Sequence, residues 1–210
     1  MRTGLEKSRN LMTVRISQDL GLKKLTNFSK KLNIYENPKE LYSISLGSAE
    51  TTLLKLTAAY CSFVNGGKLI EPIYIDRIQD SEGHTIFNSE KRMCDRCEAI
   101  SYLGKNYPKI KDNFEQIFSE ETAYQLTSML EGAVQRGTGK GLKDLNLNLA
   151  GKTGTTNKNT DAWFIGFTSN MVVGVYVGFD EPKTLGKVET GARAALPIFK
   201  LFMKNAVSSK

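Results

Sequence analysis

Five consecutive residues in the last third of the chain could do chemistry together: Lys152, Thr153, Gly154, Thr155 and Thr156. An extended backbone puts the side chains of Lys152 and Gly154 on one face and those of Thr153 and Thr155 on the other. Because Gly154 has no side chain, the backbone of a ligand could approach this strand closely. A free backbone amide could stabilise an oxyanion, and the lysine with the hydroxyls could bind a carboxylate. The alternative is a solvent-exposed basic strand.

A second pair of polar residues, Ser8 and Asn10, forms the only Ser-x-Asn in the chain. A serine and an asparagine at this spacing can present a hydroxyl and an amide to the same cleft. The alternative is helix capping, because Ser and Asn are favoured residues immediately before a helix.

The chain contains one histidine, His84, and three cysteines. A zinc site of the HExxH type needs two histidines and is therefore excluded. Cys94 and Cys97 form a Cys-x-x-Cys in a polar stretch, which indicates a local disulfide or two free thiols, and Cys61 is interpreted as a small core residue. We expect no metal and no cofactor.

The composition indicates a soluble, globular chain, since 40% of the 210 residues are hydrophobic and 24% are charged. The formal net charge is +7. The basic residues are scattered without interleaved aromatic residues, so we interpret them as solvated helix faces and expect no nucleic-acid partner. No apolar run approaches the roughly 20 residues that span a bilayer, and no signal-peptide pattern is visible.

The first third of the chain is predicted to be helical. Apolar residues at three- and four-residue spacing predict helices over 11–20 and 22–32, with Gly21 between them, and a third helix over about 51–64. Their predicted apolar faces are Leu11, Val14, Ile16 and Leu20; Leu22, Leu25, Phe28 and Leu32; and Leu53, Leu56, Tyr60, Phe63 and Val64.

The middle of the chain changes pattern. Ile73, Ile75 and Ile78, a turn over 80–83 and the stretch 85–87 predict a hairpin. Residues 89–117 show no period and are interpreted as an insertion. Ser119 is predicted to cap a helix that ends at the segment 136–139. The predicted buried stripe of that helix is Ala123, Leu126, Leu130, Ala133 and Val134.

The last third predicts strands over 147–154, 162–167 and 171–179, of which the last two form a hairpin, and then a helix opened by Pro197 with Leu196, Phe199, Met203 and Val207 near one face. The chain therefore divides into 1–68, mostly helical; 69–118, hairpin plus insertion; 119–139, a helix; and 140–210, sheet strands and a C-terminal helix. This order predicts an α+β fold in a single unit.

The motifs together resemble a known family. Ser-x-Asn and Lys-Thr-Gly accompany Ser-x-x-Lys in penicillin-interacting enzymes, and longer blocks are similar to the transpeptidase domain of class A penicillin-binding proteins. The blocks follow the order of that family and lie at 8–16, 46–68, 121–139, 149–168, 172–182 and 190–204. The resemblance implies the penicillin-binding-protein and serine-β-lactamase-like fold and a peptidoglycan D,D-transpeptidase that cross-links stem peptides through a serine acyl-enzyme.

The resemblance also implies catalytic roles for four residues. Ser8 matches a proton relay toward the leaving nitrogen, and Asn10 matches an asparagine that holds a substrate amide. Lys152 matches a lysine that supplies positive charge near the substrate carboxylate and the relay serine. The backbone N–H of Thr155 matches half of an oxyanion hole.

Substrate contacts are implied for Thr153, Gly154, Thr156 and Thr138. The segment 136–139, which contains Thr138, matches a loop bordering the cleft. Asp161 and Trp163 are expected to support the strand pair rather than to react. The implied partners are the D-Ala-D-Ala stem peptide and, in the full-length protein, β-lactam antibiotics. The implied location is periplasmic, membrane-anchored in the full-length protein.

One departure from the family is decisive for activity. No serine in the chain has a lysine three residues later, so the Ser-x-x-Lys nucleophile is absent. We interpret the chain as the C-terminal part of an incomplete transpeptidase domain, and we expect it alone neither to react with penicillin nor to cross-link. The N-terminal part of its own domain is an expected partner, and uncovered apolar surface is expected to drive self-association.

Two alternatives remain open. The first is a non-catalytic binding or scaffold module that keeps the cleft without the nucleophile. The second is a β-lactamase-like hydrolase, which also needs Ser-x-x-Lys and in addition a deacylating carboxylate.

Overall fold

The computed structural model describes residues 1–90, 92–95 and 109–208. Four helices make up most of the N-terminal part: α1 (Arg2–Glu6), α2 (Asn10–Leu20), α3 (Leu22–Lys31) and α4 (Leu53–Val64). Gly21 ends α2 with a φ of 90°, a conformation that favours glycine. The hydroxyl of Thr52 caps α4 by accepting a hydrogen bond from the N–H of Lys55 at 3.1 Å. The three predicted helices are confirmed, and α1 is an addition to them.

The apolar face predicted for α2 is largely exposed. Leu11, Ile16 and Leu20 are exposed, whereas Ser17 is the buried residue of this helix. Helix α2 contacts α1, α3 and a 3-10 turn, Tyr42–Leu46, and the hydroxyl of Ser17 donates to the carbonyl oxygen of Thr13 at 2.8 Å. Phe28 of α3 is likewise exposed.

Two short antiparallel ribbons lie in the middle of the chain. Strands β1 (Arg77–Gln79) and β2 (Thr85–Asn88) form the predicted hairpin, with Ile78 opposite Phe87. A second ribbon pairs β3 (Met93–Asp95) with β4 (Lys109–Lys111), inside the stretch that showed no sequence period.

Helix α5 (Glu120–Gln135) begins where the sequence predicts. Its N-cap Ser119 accepts a hydrogen bond from the N–H of Thr122 at 3.3 Å, and Glu120 and Glu121 lie in the first turn, where the helix dipole favours anions. Of the predicted stripe, Ala123, Leu130, Ala133 and Val134 are buried and Leu126 is half-buried.

The C-terminal part forms an antiparallel sheet of three strands, β5 (Ala150–Thr155), β6 (Asp161–Phe167) and β7 (Val172–Gly178), in the order β5-β6-β7. Strand β5 is therefore an edge strand of this sheet. A π-helical turn, Gly191–Ala195, leads into α6 (Leu196–Ser208). The predicted strands and C-terminal helix are confirmed.

The sheet packs between two groups of helices because its side chains alternate between its faces. On one face, Ala162 and Phe164 of β6 pack with Phe199 and Met203 of α6. On the other, Phe167 packs against the aromatic rings of α4. Helices on an antiparallel sheet confirm the α+β class. Among the described helices, none has the length and apolarity needed to span a membrane.

Candidate active site

Strand β5 and the segment between α1 and α2 bring Lys152 and Ser8 together, although 144 positions separate them in sequence. The Nζ of Lys152 donates hydrogen bonds to the Oγ of Ser8 at 2.5 Å and to the carbonyl oxygen of Thr153 at 2.9 Å. Lys152 is half-buried, and burial lowers the pKa of its ammonium group from 10.5 to about 8. Ser8 is exposed, so its hydroxyl is accessible from solvent.

Ser8 does not cap α2, and the capping interpretation is wrong. The N-cap is Arg9, which makes no side-chain cap hydrogen bond. Ser8 has a φ of 51°, in the left-handed region that a residue with a Cβ seldom adopts and that recurs at functional sites. Asn10 is the first residue of α2 and is exposed. Within the described part of the chain, its side chain makes no hydrogen bond.

The backbone of β5 presents free groups at the open edge of the sheet. The N–H of Thr156 donates to the carbonyl oxygen of Asp161 at 3.2 Å, which marks these two residues as a hydrogen-bonded pair. Such pairs alternate with non-hydrogen-bonded pairs along an antiparallel ladder. The register places Thr155 opposite Ala162. The N–H of Thr155 therefore points away from β6, as does that of Thr153.

The side chains of the strand alternate as the sequence predicts. Lys152 and Gly154 are paired with Ile165 and Trp163 and lie on one face, and Thr153 and Thr155 lie on the other. The Oγ1 atoms of Thr153 and Thr138 lie 2.7 Å apart. The Oγ1 of Thr155 accepts a hydrogen bond from the N–H of Gly191 at 3.0 Å.

Thr156 is engaged in the turn between β5 and β6. Its Oγ1 accepts from the N–H of Asp161 at 2.8 Å and lies 2.7 Å from the Oγ1 of Thr160. The hydroxyl of Thr156 thus closes the turn that follows the strand.

Asp161 and Trp163 contact the neighbouring strand. The hydroxyl of Tyr176 on β7 donates to the Oδ1 of Asp161 at 3.0 Å. The ring centroids of Tyr176 and Trp163 lie 4.6 Å apart. These contacts tie β6 to β7 beside the candidate site.

The chain contains three cysteines, two of which lie in the part that the structure describes. Cys61 is a free thiol in α4, and Cys94 is disulfide-bonded, whereas Cys97 lies outside the described residues. Over the described ranges, no group of three or more His, Cys, Asp or Glu side chains could hold a metal ion.

Comparison with known proteins agrees with this geometry. The family model of the penicillin binding protein transpeptidase domain matches residues 1–204. The chain belongs to this family. The resemblance to class A proteins is also confirmed, since relatives named penicillin-binding protein 1A match this chain over its whole length.

Three similar proteins illustrate the match. Penicillin-binding protein 1A of Rickettsia conorii is 47% identical over 212 residues, covering 100% of this chain and 27% of that protein. The crystal structure of penicillin-binding protein 1A from Haemophilus influenzae has a TM-score of 0.82 and 32% identity, covering 100% of this chain and 34% of that one. The PonA1 protein from Mycobacterium tuberculosis in complex with penicillin V has a TM-score of 0.74 at 20% identity, over 99% of this chain and 56% of that one, which shows a shared fold.

The chain thus spans about a quarter of the length of the curated relatives it matches, 27% in the first case.

Sequence reasoning missed two residues of this transpeptidase-family site. Glu6 of α1 is buried and bound to Arg136, and Gly191 lies against β5 and β6. Glu6 had no signal in the sequence, because its pairing with Arg136, 130 positions away, depends on how α1 packs against α5. Gly191 had none, because its tight contact depends on where α6 packs.

Proposed function

We propose that this chain provides the substrate-holding and proton-relay part of a serine-type peptidoglycan D,D-transpeptidase domain. The contact that carries the proposal is the 2.5 Å hydrogen bond between the Nζ of Lys152 and the Oγ of Ser8. It joins the two sequence motifs across 144 positions of the chain, and membership of the transpeptidase family supports the reaction class.

Lys152 and Ser8 would act as a proton relay. The lysine Nζ donates to the Oγ of Ser8, which leaves the serine O–H free to point at a leaving nitrogen. When the substrate amide breaks, Ser8 gives its proton to that nitrogen and receives one from the Lys152 ammonium. A pKa of about 8 for Lys152 suits this transfer near neutral pH, because general acids work best when their pKa lies near the working pH.

The open edge of β5 would hold the substrate backbone. The outward N–H of Thr155 would donate to the carbonyl oxygen as it gains negative charge, which is half of an oxyanion hole. Gly154 leaves room for the peptide. Thr153, Thr155 and Thr138 would place hydroxyls near the terminal carboxylate, and Lys152 supplies the opposite charge.

Two further roles belong to the margin of the site. The exposed side chain of Asn10 would hold a substrate amide, since its donors and acceptor are unused within the described residues. Thr156 would act through the β5–β6 turn that it closes.

The substrate would be a stem peptide ending in D-Ala-D-Ala, and β-lactams would compete for the same cleft; the related PonA1 structure contains penicillin V. We place the working protein in the periplasm, held by a membrane anchor outside these residues. The sequence contains no Ser-x-x-Lys, so a nucleophile must come from elsewhere, and the 210-residue chain alone would not acylate.

A chimera tests the proposal. In it, this chain replaces the matching quarter of the Rickettsia conorii relative, which supplies the remaining segments. We expect the chimera to label covalently with a fluorescent penicillin and Lys152→Ala to slow labelling roughly 10²-fold or more. Lys140→Ala, at an exposed lysine just after the 136–139 segment, is the matched control. It should label at the same rate as the chimera without a substitution.

Two results would contradict the proposal. One is covalent labelling of the isolated 210-residue chain, which would place a nucleophile within it. The other is a Lys152→Ala chimera that labels as fast as the Lys140→Ala control.

A further inference from the structure

Glu6 is a buried carboxylate between α1 and α5. Its side chain is 7% exposed, and its Oε1 accepts a hydrogen bond from the Nη2 of Arg136 at 2.5 Å. The Nε of Arg136 donates to the other carboxylate oxygen at 3.4 Å. A guanidinium that contacts both oxygens fixes the direction of the carboxylate as well as its charge. We propose that Glu6 is a positioning residue that holds the Ser8 turn against Lys152.

The backbone of Glu6 links the same turn to the strand. Its carbonyl oxygen accepts a hydrogen bond from the N–H of Thr138 at 3.2 Å. The Oγ1 of Thr138 lies 2.7 Å from that of Thr153, which follows Lys152. Lys152 in turn reaches Ser8, two residues after Glu6. The contacts therefore close a ring, and moving Glu6 must move Ser8 relative to Lys152.

Two glycines of α5 and its following loop make room for this arrangement. A Cβ at Gly132 would overlap the Oε1 of Glu6, and a Cβ at Gly137 would overlap its carbonyl oxygen. The contact at Gly137 is with the backbone of Glu6, so the end of α1 lies against the loop after α5 at a distance that leaves no room for a Cβ there.

The conformation of Ser8 shows why such a holder is needed. A φ of 51° is unfavourable for serine and persists only where the surrounding structure imposes it. The short helix α1 has the single turn Arg2–Glu6 and cannot impose it alone. The pair of Glu6 and Arg136, 130 residues apart in sequence, supplies a tertiary anchor two residues before Ser8.

This inference rests on the proposed function, but its test does not use penicillin. The measurement is a titration of Lys152 in the 210-residue chain, monitored by NMR of lysine side chains labelled with ¹³C at Cε. The signal of Lys152 is assigned as the one that is missing in Lys152→Arg. Loss of a nearby negative charge by itself lowers the pKa of a lysine. Release of the Ser8 turn would instead admit water to Lys152 and raise its pKa, because burial is what lowers it. The two causes therefore predict opposite signs.

We expect Glu6→Gln, which keeps the side-chain volume, to raise the pKa of Lys152 from about 8 to about 9 or higher. Gly137→Ala, which changes no charge, should raise it in the same direction. Asp144→Asn is the matched control, because it breaks a different ion pair, 2.7 Å long, to Lys200. It should leave the pKa of Lys152 unchanged.

Each other outcome overturns the inference. If both variants fold and the pKa of Lys152 stays at about 8 or falls, Glu6 does not position the site. If both variants lose the dispersed spectrum of a folded chain, Glu6 supports the fold as a whole.

A chimera that fails to label with penicillin contradicts the proposed function and leaves this measurement intact.

Discussion

Lys152 is held in a place that is unfavourable for its own charge. Burial is the cause of its lowered pKa, and its described hydrogen-bond partners are neutral oxygens of Ser8 and Thr153. A protein keeps a poorly solvated ammonium group only at a cost in folding free energy. That cost accompanies a lysine able to exchange its proton near neutral pH.

The pH dependence of stability should reveal this cost. The pKa of Lys152 is about 8 in the folded chain and near 10.5 in the unfolded one, so between these values the unfolded state binds more protons. Stability then rises with pH across this window, and below about pH 8 the penalty is present in full. The quantity to measure is the urea midpoint of the wild type minus the urea midpoint of Lys152→Met. We expect this difference to become more positive from pH 8 to pH 10.5. Lys23→Met, at an exposed lysine, is the matched control for this difference.

At the scale of single residues, the sequence predicted the chemical groups better than their supports. The alternation of the side chains of Lys152 and Thr155 followed from strand geometry, and the family resemblance implied the role of the Thr155 amide. Glu6 was not predicted, since its partner lies 130 residues away and the pairing depends on how α1 packs against α5. The positive φ of Ser8 is likewise a result of tertiary contacts.

Among the elements, the π-helical turn Gly191–Ala195 lies close against the backbone of the sheet. A Cβ at Gly191 would overlap the carbonyl oxygens of Gly154 and Trp163, which face each other across β5 and β6. These are backbone atoms within a ladder and cannot yield as a flexible side chain could.

Gly191→Ala should therefore push the turn away from β5 and destabilise the chain by about 1–3 kcal/mol. Gly141→Ala is a suitable control, since the nearest atom to its added Cβ is the Cδ2 of Leu196 at 3.2 Å. Urea denaturation of both variants measures the difference. Equal midpoints would show that the turn accommodates the methyl group.

Long elements with a strong period were predictable, and short ones were not. Helices α4 and α5 and strands β6 and β7 follow apolar periodicity, caps and β-branched residues. Strands β3 and β4 have three residues each, too few for a period to appear. The exposure of the α2 apolar face was not predictable, because periodicity identifies an apolar face but not whether another element covers it.

At the scale of the whole molecule, apolar surface remains exposed beside the site. Leu11 and Leu46 are 65% and 47% exposed, on α2 and on the 3-10 turn that contacts it. Ile16 and Tyr42 belong to the same two elements and are also exposed. Exposed apolar surface of this kind marks an interaction site or an association liability.

We expect the chain to self-associate with increasing concentration in sedimentation velocity. Leu11→Gln with Ile16→Gln should shift it toward monomer by removing apolar area from α2. Ile75→Gln with Ile86→Gln, at exposed positions in and before the β1–β2 hairpin, is the comparison. A shift toward monomer with the hairpin variant alone would place the associating surface on the hairpin, and a wild-type monomer at all concentrations would refute the expectation.

The open edge of β5 has a consequence for inhibitor design. The outward N–H groups of Thr153 and Thr155 are two residues apart, which corresponds to about 6.8 Å along a strand. A rigid molecule with two acceptors at that spacing would match both donors at once, without a reactive ring and without any nucleophile. Its affinity would depend on backbone N–H groups, which among single substitutions only proline removes, so other resistance mutations would have to distort the strand itself.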